Sequence, residues 1–132
     1  MRGCGADDKV TRCWGDKVKE FRFVVLHHTG VAEPHFDLMI EEAGREMLRA
    51  WRVFVPPAEW GDGDVGAVRI ADHRAVYMTY EGELSGGRGE VKRVAEGRGE
   101  VVQADERGMR VRMREVEAGG HWEIILPLDV ID

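Results

Sequence analysis

Short apolar runs alternate with turn residues along the chain from Phe21 onward, and this pattern predicts β-strands. The runs are rich in β-branched and aromatic residues, and glycine-containing turns separate most of them. The predicted strands are FRFVVLHH, HFDLMIEE, LRAWRVFV, AVRIADH, AVYMTYEGEL, GEVKRVAEG, GEVVQADE, GMRVRMREV and HWEIILPL. The segment GRGEV occurs at 87–91 and again at 97–101, and we interpret the two copies as the starts of successive strands.

Strands of this length, with 17 glycines and turns at regular intervals, favour an all-β fold. We expect a small β-barrel of about six to eight strands, closed or partly open. Residues 1–20 show no clear period and predict an irregular, flexible N-terminal arm. Residues 21–132 then form one barrel domain, because 132 residues is close to the common size of a single domain.

Composition and charge narrow the classes of function. The chain is 43% hydrophobic and contains no apolar run near the roughly 18 residues of a membrane span, so we expect no membrane association. No secretory signal is recognisable, which favours the cytoplasm and free thiols at Cys4 and Cys13 over a disulfide or half of a zinc site. A net charge of −6 argues against indiscriminate binding of nucleic acid through overall charge.

The charge is nevertheless uneven. From Arg88 to Arg114 the sequence has eight Lys/Arg against five Asp/Glu. In the predicted strand 109–114, Arg110, Arg112 and Arg114 alternate with apolar residues and share one outer face. That face is either a solvated sheet surface or a track for a phosphate backbone.

Two imidazoles and a carboxylate gather around the loop between the first two predicted strands. His28 ends one strand, and His35 and Asp37 project from one face of the next, because residues two apart in a strand point the same way. If the two strands form a hairpin, the three side chains converge as ligands for a divalent ion. Asp favours harder ions such as manganese, and His accommodates manganese or zinc. On spacing alone, His27 competes with His28 for this role.

The order of the motifs resembles the 3′-phosphoesterase domain of DNA ligase D. That family has a strand ending F-V-V-x-x-H, then H-x-D-[FL]-x-[LI]-E, an L-x-x-W strand, D-H-x-x-x-Y-x-x-[FY]-E-G and a G-x-V element. The corresponding segments are FVVLHH (23–28), HFDLMIE (35–41), LRAW (48–51), DHRAVYMTYEG (72–82) and GEV (89–91). The resemblance extends from about residue 21 to 101.

The resemblance implies a compact barrel with a crescent-shaped site. His28, His35 and Asp37 would be the manganese ligands, which selects His28 over His27. His73 would contact the scissile phosphate, and Tyr77 would line the same pocket. The implied activity is metal-dependent trimming of DNA or RNA 3′ ends, in which a 3′-terminal ribonucleoside and the 3′-phosphate are removed to leave a 3′-hydroxyl. End-joining ligases and polymerases would be its partners in DNA repair.

The sequence departs from the family pattern at the position that should grip phosphate. Met39 stands where the family has an arginine two residues after the metal-binding aspartate, and Val55 replaces a lysine. The loop between the two histidines is one residue longer. A substitute cation is therefore needed, and the candidates are Arg49, Arg52, Arg69 and Arg74. Without one, the alternative is a non-catalytic barrel that binds nucleic acid or a partner and keeps a structural metal.

Overall fold

The computed structural model describes residues 19–130, in which nine β-strands form one curled sheet. The strands are β1 (Lys19–Thr29), β2 (His35–Glu42), β3 (Leu48–Val53), β4 (Gly63–Asp64), β5 (Val68–His73), β6 (Gly82–Glu83), β7 (Glu90–Ala104), β8 (Gly108–Glu115) and β9 (His121–Pro127). Short 3-10 helices cover Pro57–Glu59, Ala75–Met78 and Ser85–Gly87, and residues 19–130 contain no α-helix.

The sheet curls into a half-barrel. Its strand order is β4-β9-β8-β7-β1-β2-β3-β5, with β6 added beside β7, and all pairs are antiparallel except β4 with β9. The curl brings the β5 edge towards the end of the chain, where Arg69 bridges to Val130. Trp51 in β3 donates its indole N–H to the carbonyl oxygen of Pro127 at 2.6 Å, which ties the two sides together. The predicted all-β, partly open barrel is confirmed, although the sheet has nine strands where about six to eight were expected.

Both faces of the central strands are buried, but against different groups of residues. In β1, Phe23 and Val25 face the interior of the curl, where they join the larger apolar cluster with Trp51 and Trp122. Val24 and Leu26 point to the outer face and belong to a smaller cluster, which Met39, Leu48, Ala50, Met78 and Val91 complete. The outer face is therefore partly covered, and the 3-10 helix Ala75–Met78 supplies part of that cover.

One predicted strand is wrong, and two others form a single strand. The segment AVYMTYEGEL was expected to be a strand, yet Ala75–Met78 forms a 3-10 helix and only Gly82–Glu83 pairs with the sheet. Packing of Tyr77 and Met78 on the smaller cluster overrides the β-propensity of this run. The segments GEVKRVAEG and GEVVQADE are one continuous strand, β7, so the second GRGEV lies within a strand instead of starting one.

The predicted N-terminal arm lies almost wholly outside the described residues. Residues 1–18 belong to that part of the chain, together with Cys4 and Cys13, whereas Lys19 and Glu20 form the start of β1. Within residues 19–130, no helix has the length and apolar character needed to cross a membrane.

Close backbone packing between β7 and β8 generates the first prediction. A Cβ atom at Gly97 would lie 1.9 Å from the carbonyl oxygen of Arg114, so Gly97→Ala must push the two strands apart. We expect this change to lower the free energy of unfolding by about 1–3 kcal/mol. Gly61 is the matched control, because a Cβ there meets nothing within 4 Å. Urea unfolding followed by circular dichroism measures both, and equal stability of the two variants would contradict the packing.

Candidate metal centre

The register of the β1–β2 hairpin brings three metal-ligating side chains together. His28 pairs with His35, and Leu26 pairs with Asp37, so the two histidines and the aspartate share the outer face of the sheet. The imidazole centroids of His28 and His35 are 4.8 Å apart. One ligand atom from each of the three residues lies within 4.8 Å of the others. The structure therefore assembles the predicted set of residues.

Burial leaves two atoms of this group without partners. His35 and Asp37 are 4% and 3% exposed. The Nε2 atom of His35 and the Oδ1 atom of Asp37 are buried, and neither has a hydrogen-bond partner. Burying a polar atom without a partner costs about 1–3 kcal/mol, so unpartnered atoms that face each other require an explanation.

Backbone carbonyl groups fix the orientation of both imidazoles. His35 donates its Nδ1–H to the carbonyl oxygen of Glu33 at 2.9 Å, and His28 donates its Nε2–H to the carbonyl oxygen of Arg88 at 2.7 Å. A carbonyl oxygen only accepts, so the nitrogen that faces it must carry the proton. In the neutral rings, the other nitrogens then present lone pairs towards Asp37. Metal-binding histidines commonly have this arrangement.

The separations of these atoms fit a shared ion better than direct hydrogen bonds. His35 Nε2 lies 3.4 Å from Asp37 Oδ1, and His28 Nδ1 lies 3.7 Å from Asp37 Oδ2. Both distances exceed the usual range for N–H···O bonds. Two atoms that each lie about 2.1 Å from one ion, at a tetrahedral angle, are about 3.4 Å apart. The chemistry of the donor set suits a divalent ion such as manganese or zinc, and the three ligand atoms, which lie within 4.8 Å of one another, would have to draw closer to share it.

His27 does not belong to this group. Its ring stacks on Phe36 at a centroid distance of 4.4 Å, with 9° between the planes, on the other face of the hairpin. The alternation of side chains along β1 separates it from His28. The structure thus places His28, and not His27, beside His35 and Asp37.

A cavity of about 300 Å³ opens beside the candidate metal ligands, and His28 and Asp37 form part of its wall. His73 and Tyr77 line the same cavity, as predicted, with ring centroids 5.8 Å apart. His73 donates its Nδ1–H to the carbonyl oxygen of Ala71 at 2.9 Å, so Nε2 is the nitrogen that remains for a ligand. A second cavity of about 430 Å³, between β8 and β9, has no such group of ligands within residues 19–130.

Two of the four predicted phosphate-binding arginines reach this cavity. Arg52 and Arg74 line it, and Arg52 Nε lies 3.9 Å from Asp37 Oδ1. Arg49 points to the opposite face of β3, where it donates two hydrogen bonds of 2.7 Å to Glu42. Arg69 is 7% exposed, and its guanidinium lies 5.2 Å from the ring centroid of Trp51. Neither Arg49 nor Arg69 lines the cavity, because each is held by other residues.

Arg88 is a cavity residue that the sequence analysis missed. Its carbonyl oxygen orients His28, and its guanidinium donates to the carbonyl oxygen of Ser85 at 2.7 Å and to Ser85 Oγ at 3.0 Å. Arg88 also lines the cavity beside His73. The Gly-Arg-Gly sequence at 87–89 was the available signal, since glycines on both sides of an arginine permit an unusual backbone path.

Two glycines hold the Arg88 carbonyl group against β1. Gly89 has φ +87° and Gly30 has φ +76°, a region that residues with side chains rarely adopt. A Cβ at Gly89 would lie 2.1 Å from the carbonyl oxygen of Thr29, and one at Gly30 would lie 3.0 Å from the Cα of Gly89. The loop before β7 therefore approaches His28 closely only because both positions lack side chains.

Met39 lines the cavity two residues beyond Asp37, as the strand alternation predicts. It is 1% exposed and packs within the smaller apolar cluster. The thioether therefore forms part of the wall, and the positive charge comes from Arg52, Arg74 and Arg88.

Comparisons with known proteins identified no relative whose site could be compared with this one. A scan of the sequence against protein-family models found no match, and a search of curated proteins found none either. The likeness to the ligase-associated phosphoesterases consequently rests on the order of the motifs quoted above.

We predict that the protein binds one manganese ion and that Asp37→Asn abolishes this binding, because the only anionic ligand is lost. Isothermal titration calorimetry with Mn²⁺ measures the stoichiometry and the affinity. Asp72→Asn is the matched control, since Asp72 lines the same cavity but does not belong to the ligand group. Unchanged affinity of the Asp37 variant would exclude this metal centre.

We further predict that Gly89→Ala weakens Mn²⁺ binding about 10–100-fold, because it displaces the carbonyl group that orients His28. Gly86→Ala is the control, since Gly86 also has a positive φ of 72° but open space around its Cβ position. Titration of both variants separates the loss of orientation from ordinary backbone strain. Equal affinities would show that the Arg88 carbonyl does not hold the ligand.

Proposed function

We propose that this protein is a divalent-metal-dependent phosphoesterase that processes 3′ ends of DNA or RNA and leaves a 3′-hydroxyl. The observation that carries this proposal is the cavity shared by the metal ligands His28 and Asp37, the imidazole of His73 and a set of arginines. A site that pairs a divalent cation with several guanidinium groups is suited to phosphate. The motif order of the ligase-associated phosphoesterases supports the 3′ end as the substrate.

The arginines supply the positive charge that Met39 does not. Arg52, Arg74 and Arg88 enter the cavity from three different elements, namely β3, the segment after β5 and the loop before β7. Guanidinium groups donate paired hydrogen bonds to phosphate oxygens, and the bonds are strengthened by the opposite charges. In this proposal the three side chains hold the phosphate against the metal centre.

The proposed reaction is hydrolysis at phosphorus. The oxygen of water forms a new bond to phosphorus, the bond from phosphorus to the departing oxygen breaks, and that oxygen takes a proton to become the hydroxyl group. A bound divalent ion supplies Lewis-acid polarisation of a phosphoryl oxygen. His73 would act as the imidazolium, with Nδ1–H on the Ala71 carbonyl oxygen and Nε2–H towards the cavity, and would either give the Nε2 proton to the departing oxygen or stabilise the charge that develops on the phosphoryl group.

The family resemblance supports further parts of the proposal. The substrate is a primer strand that carries a 3′-terminal ribonucleotide or a 3′-phosphate, and manganese is the preferred ion, with zinc or another divalent ion as alternatives. End-joining ligases and polymerases are the proposed partners, in the cytoplasm and in DNA repair.

A non-catalytic barrel with a structural metal is the second candidate. The observation that favours it is Met39, a buried and uncharged residue at the position where the family carries an arginine. Such a protein would bind manganese and nucleic acid but release no phosphate. Metal binding alone therefore does not distinguish the two candidates, whereas phosphate release does.

We predict that the protein releases inorganic phosphate from a short oligonucleotide with a 3′-phosphate when Mn²⁺ is present. His73→Ala should lower the rate about 10²–10⁴-fold without changing Mn²⁺ affinity, because His73 is not in the ligand group. His121→Ala is the control, an exposed histidine in β9. A parent protein that binds Mn²⁺ but releases no phosphate would replace the catalytic proposal with the binding module.

We also predict that Arg52→Gln lowers kcat/KM about 10²–10³-fold, as expected when a charge-stabilising donor is removed. Arg49→Gln should have little effect, because Arg49 lies on the same strand but on the opposite face. Steady-state kinetics on the 3′-phosphate oligonucleotide measures the contrast. Equal losses in the two variants would argue that neither guanidinium acts on the substrate.

A further inference from the structure

The sheet face that carries the metal ligands continues along β1 to a row of arginines. Arg22 in β1 lies opposite Arg98 in β7, and Arg98 lies opposite Arg114 in β8. Residues paired across neighbouring strands point to the same face, and Arg22 shares its face with His28, since both are at even positions of one strand. All three arginines are exposed. We call Arg22, Arg98 and Arg114 the arginine row.

The row runs across the strands, whereas the sequence suggested a track along β8 formed by Arg110, Arg112 and Arg114. Unlike two of the three arginines in the row, Arg110 and Arg112 form ion pairs with an acidic residue. Arg112 Nε lies 3.2 Å from Glu123 Oε1, and Arg110 Nη1 lies 3.8 Å from Glu123 Oε2. Arg112 also lies opposite Glu100, so the sequence of charges across the strands there is acidic, basic, acidic. Opposite charges at directly paired positions stabilise a sheet. Pairing with acidic residues is therefore a sufficient reason for Arg110 and Arg112 to be present on this face.

Like charges occupy the paired positions of the arginine row. Side chains directly opposite each other in antiparallel strands are about 4.5–5.5 Å apart at Cβ, so the Arg22–Arg98 and Arg98–Arg114 pairs are mutually repulsive. Glu41 lies 3.4 Å from Arg22, but Arg98 and Arg114 form no ion pair with any residue in 19–130. Two of the three arginines in the row therefore lack an acidic partner within residues 19–130, although Glu20, Glu41, Glu42 and Glu100 line the cavity over the row.

The surroundings of the row indicate which polyanion it suits. A cavity of about 720 Å³ lies over the row. Among residues 19–130, the only aromatic residue that lines this cavity is Phe21, which is 5% exposed. Proteins that bind single strands usually stack the bases on exposed aromatic rings. Guanidinium groups without such rings suit a regular phosphate backbone, and we therefore favour a duplex over a single strand.

The distance from the row to the candidate metal centre determines how far from the 3′ end of a bound duplex the row would lie. Arg22 and His28 are six residues apart on β1, which corresponds to roughly 20 Å. A strand of duplex DNA advances about 3.4 Å per base pair along the axis, so the row lies about six base pairs from a 3′ end at the metal centre.

We propose that the arginine row binds backbone phosphates of a nucleic-acid duplex, about six base pairs upstream of the processed 3′ end. The stated position rests on the proposed phosphoesterase function. Binding of the duplex by these arginines does not, and it can be measured without any turnover.

The test compares two double variants of the full chain that lose the same charge. Arg98→Gln with Arg114→Gln removes two members of the row, and Lys92→Gln with Arg107→Gln removes two exposed cations that neither belong to it nor line the metal cavity. Fluorescence anisotropy measures the affinity for a labelled duplex of about 12 base pairs with a 3′-hydroxyl, from about 50 to 200 mM salt. Thermal unfolding should show that both variants are at least as stable as the parent, since the row variant loses two pairs of like charges.

We expect the row variant to bind every duplex sequence more weakly, and its slope of log affinity against log salt to be smaller by about 2. The control variant should keep the slope of the parent. An unchanged slope in the row variant, or equal changes in both variants, would overturn the proposal. A slope that changes only for single-stranded DNA would overturn the assignment to a duplex.

Measurement of phosphate release in parallel distinguishes the two proposals. If the parent releases no phosphate but the row variant loses the salt-dependent duplex binding, the arginine row is supported and the catalytic function fails. If the parent is active and the row variant binds duplex as the parent does, the row fails and the catalytic function stands.

Discussion

The register between β1 and β2 places His28 opposite His35, and the rest of the candidate site depends on this pairing. Side chains alternate along a strand, so a slip of one residue would move His35 and Asp37 to the interior of the curl. The slip would also move Leu38 and Ile40 out of the larger cluster, in which they are fully buried, to the face of the smaller cluster. Burial of these apolar residues therefore fixes the position of the ligands. The packing of the core and the geometry of the candidate metal site are consequences of one alignment.

The register brings the histidines together, and backbone carbonyl groups then orient their rings. The carbonyl groups of Glu33 and Arg88 each accept the proton-bearing nitrogen of a histidine, which turns the remaining nitrogen towards Asp37. Arg88 is 60 residues from His28 in sequence, and its carbonyl reaches β1 because Gly89 allows the two backbones to touch. A glycine on a loop thus determines the orientation of a ligand on a strand, although it contributes no side chain.

The alternation of side chains along a strand was enough to predict those parts of the site that lie on one strand. The alternation of HFDLMIE placed His35, Asp37 and Met39 on one face, and the structure has them there. The sequence could not show that Arg49 would pair with Glu42, or that the Arg88 carbonyl would reach His28, because both contacts depend on tertiary packing. The strand predicted around Tyr77 was wrong for the same reason. Its residues pack as a 3-10 helix over the smaller cluster instead of pairing with a neighbour.

The outer face of the sheet departs twice from the arrangement that stability alone would favour. At the metal centre, His35 Nε2 and Asp37 Oδ1 are buried without hydrogen bonds, which costs about 1–3 kcal/mol for each group. In the arginine row, like charges face each other where opposite charges would stabilise the sheet. The interior of the curl has one such atom among residues 19–130, Arg69 Nε, which is buried over the Trp51 ring, but no row of paired like charges. Local conflicts of this kind are expected where residues serve a ligand. The candidate metal ligand His28 and Arg22 of the row lie on the same face of β1, and this shared position is the reason to assign both sites to one extended anionic substrate.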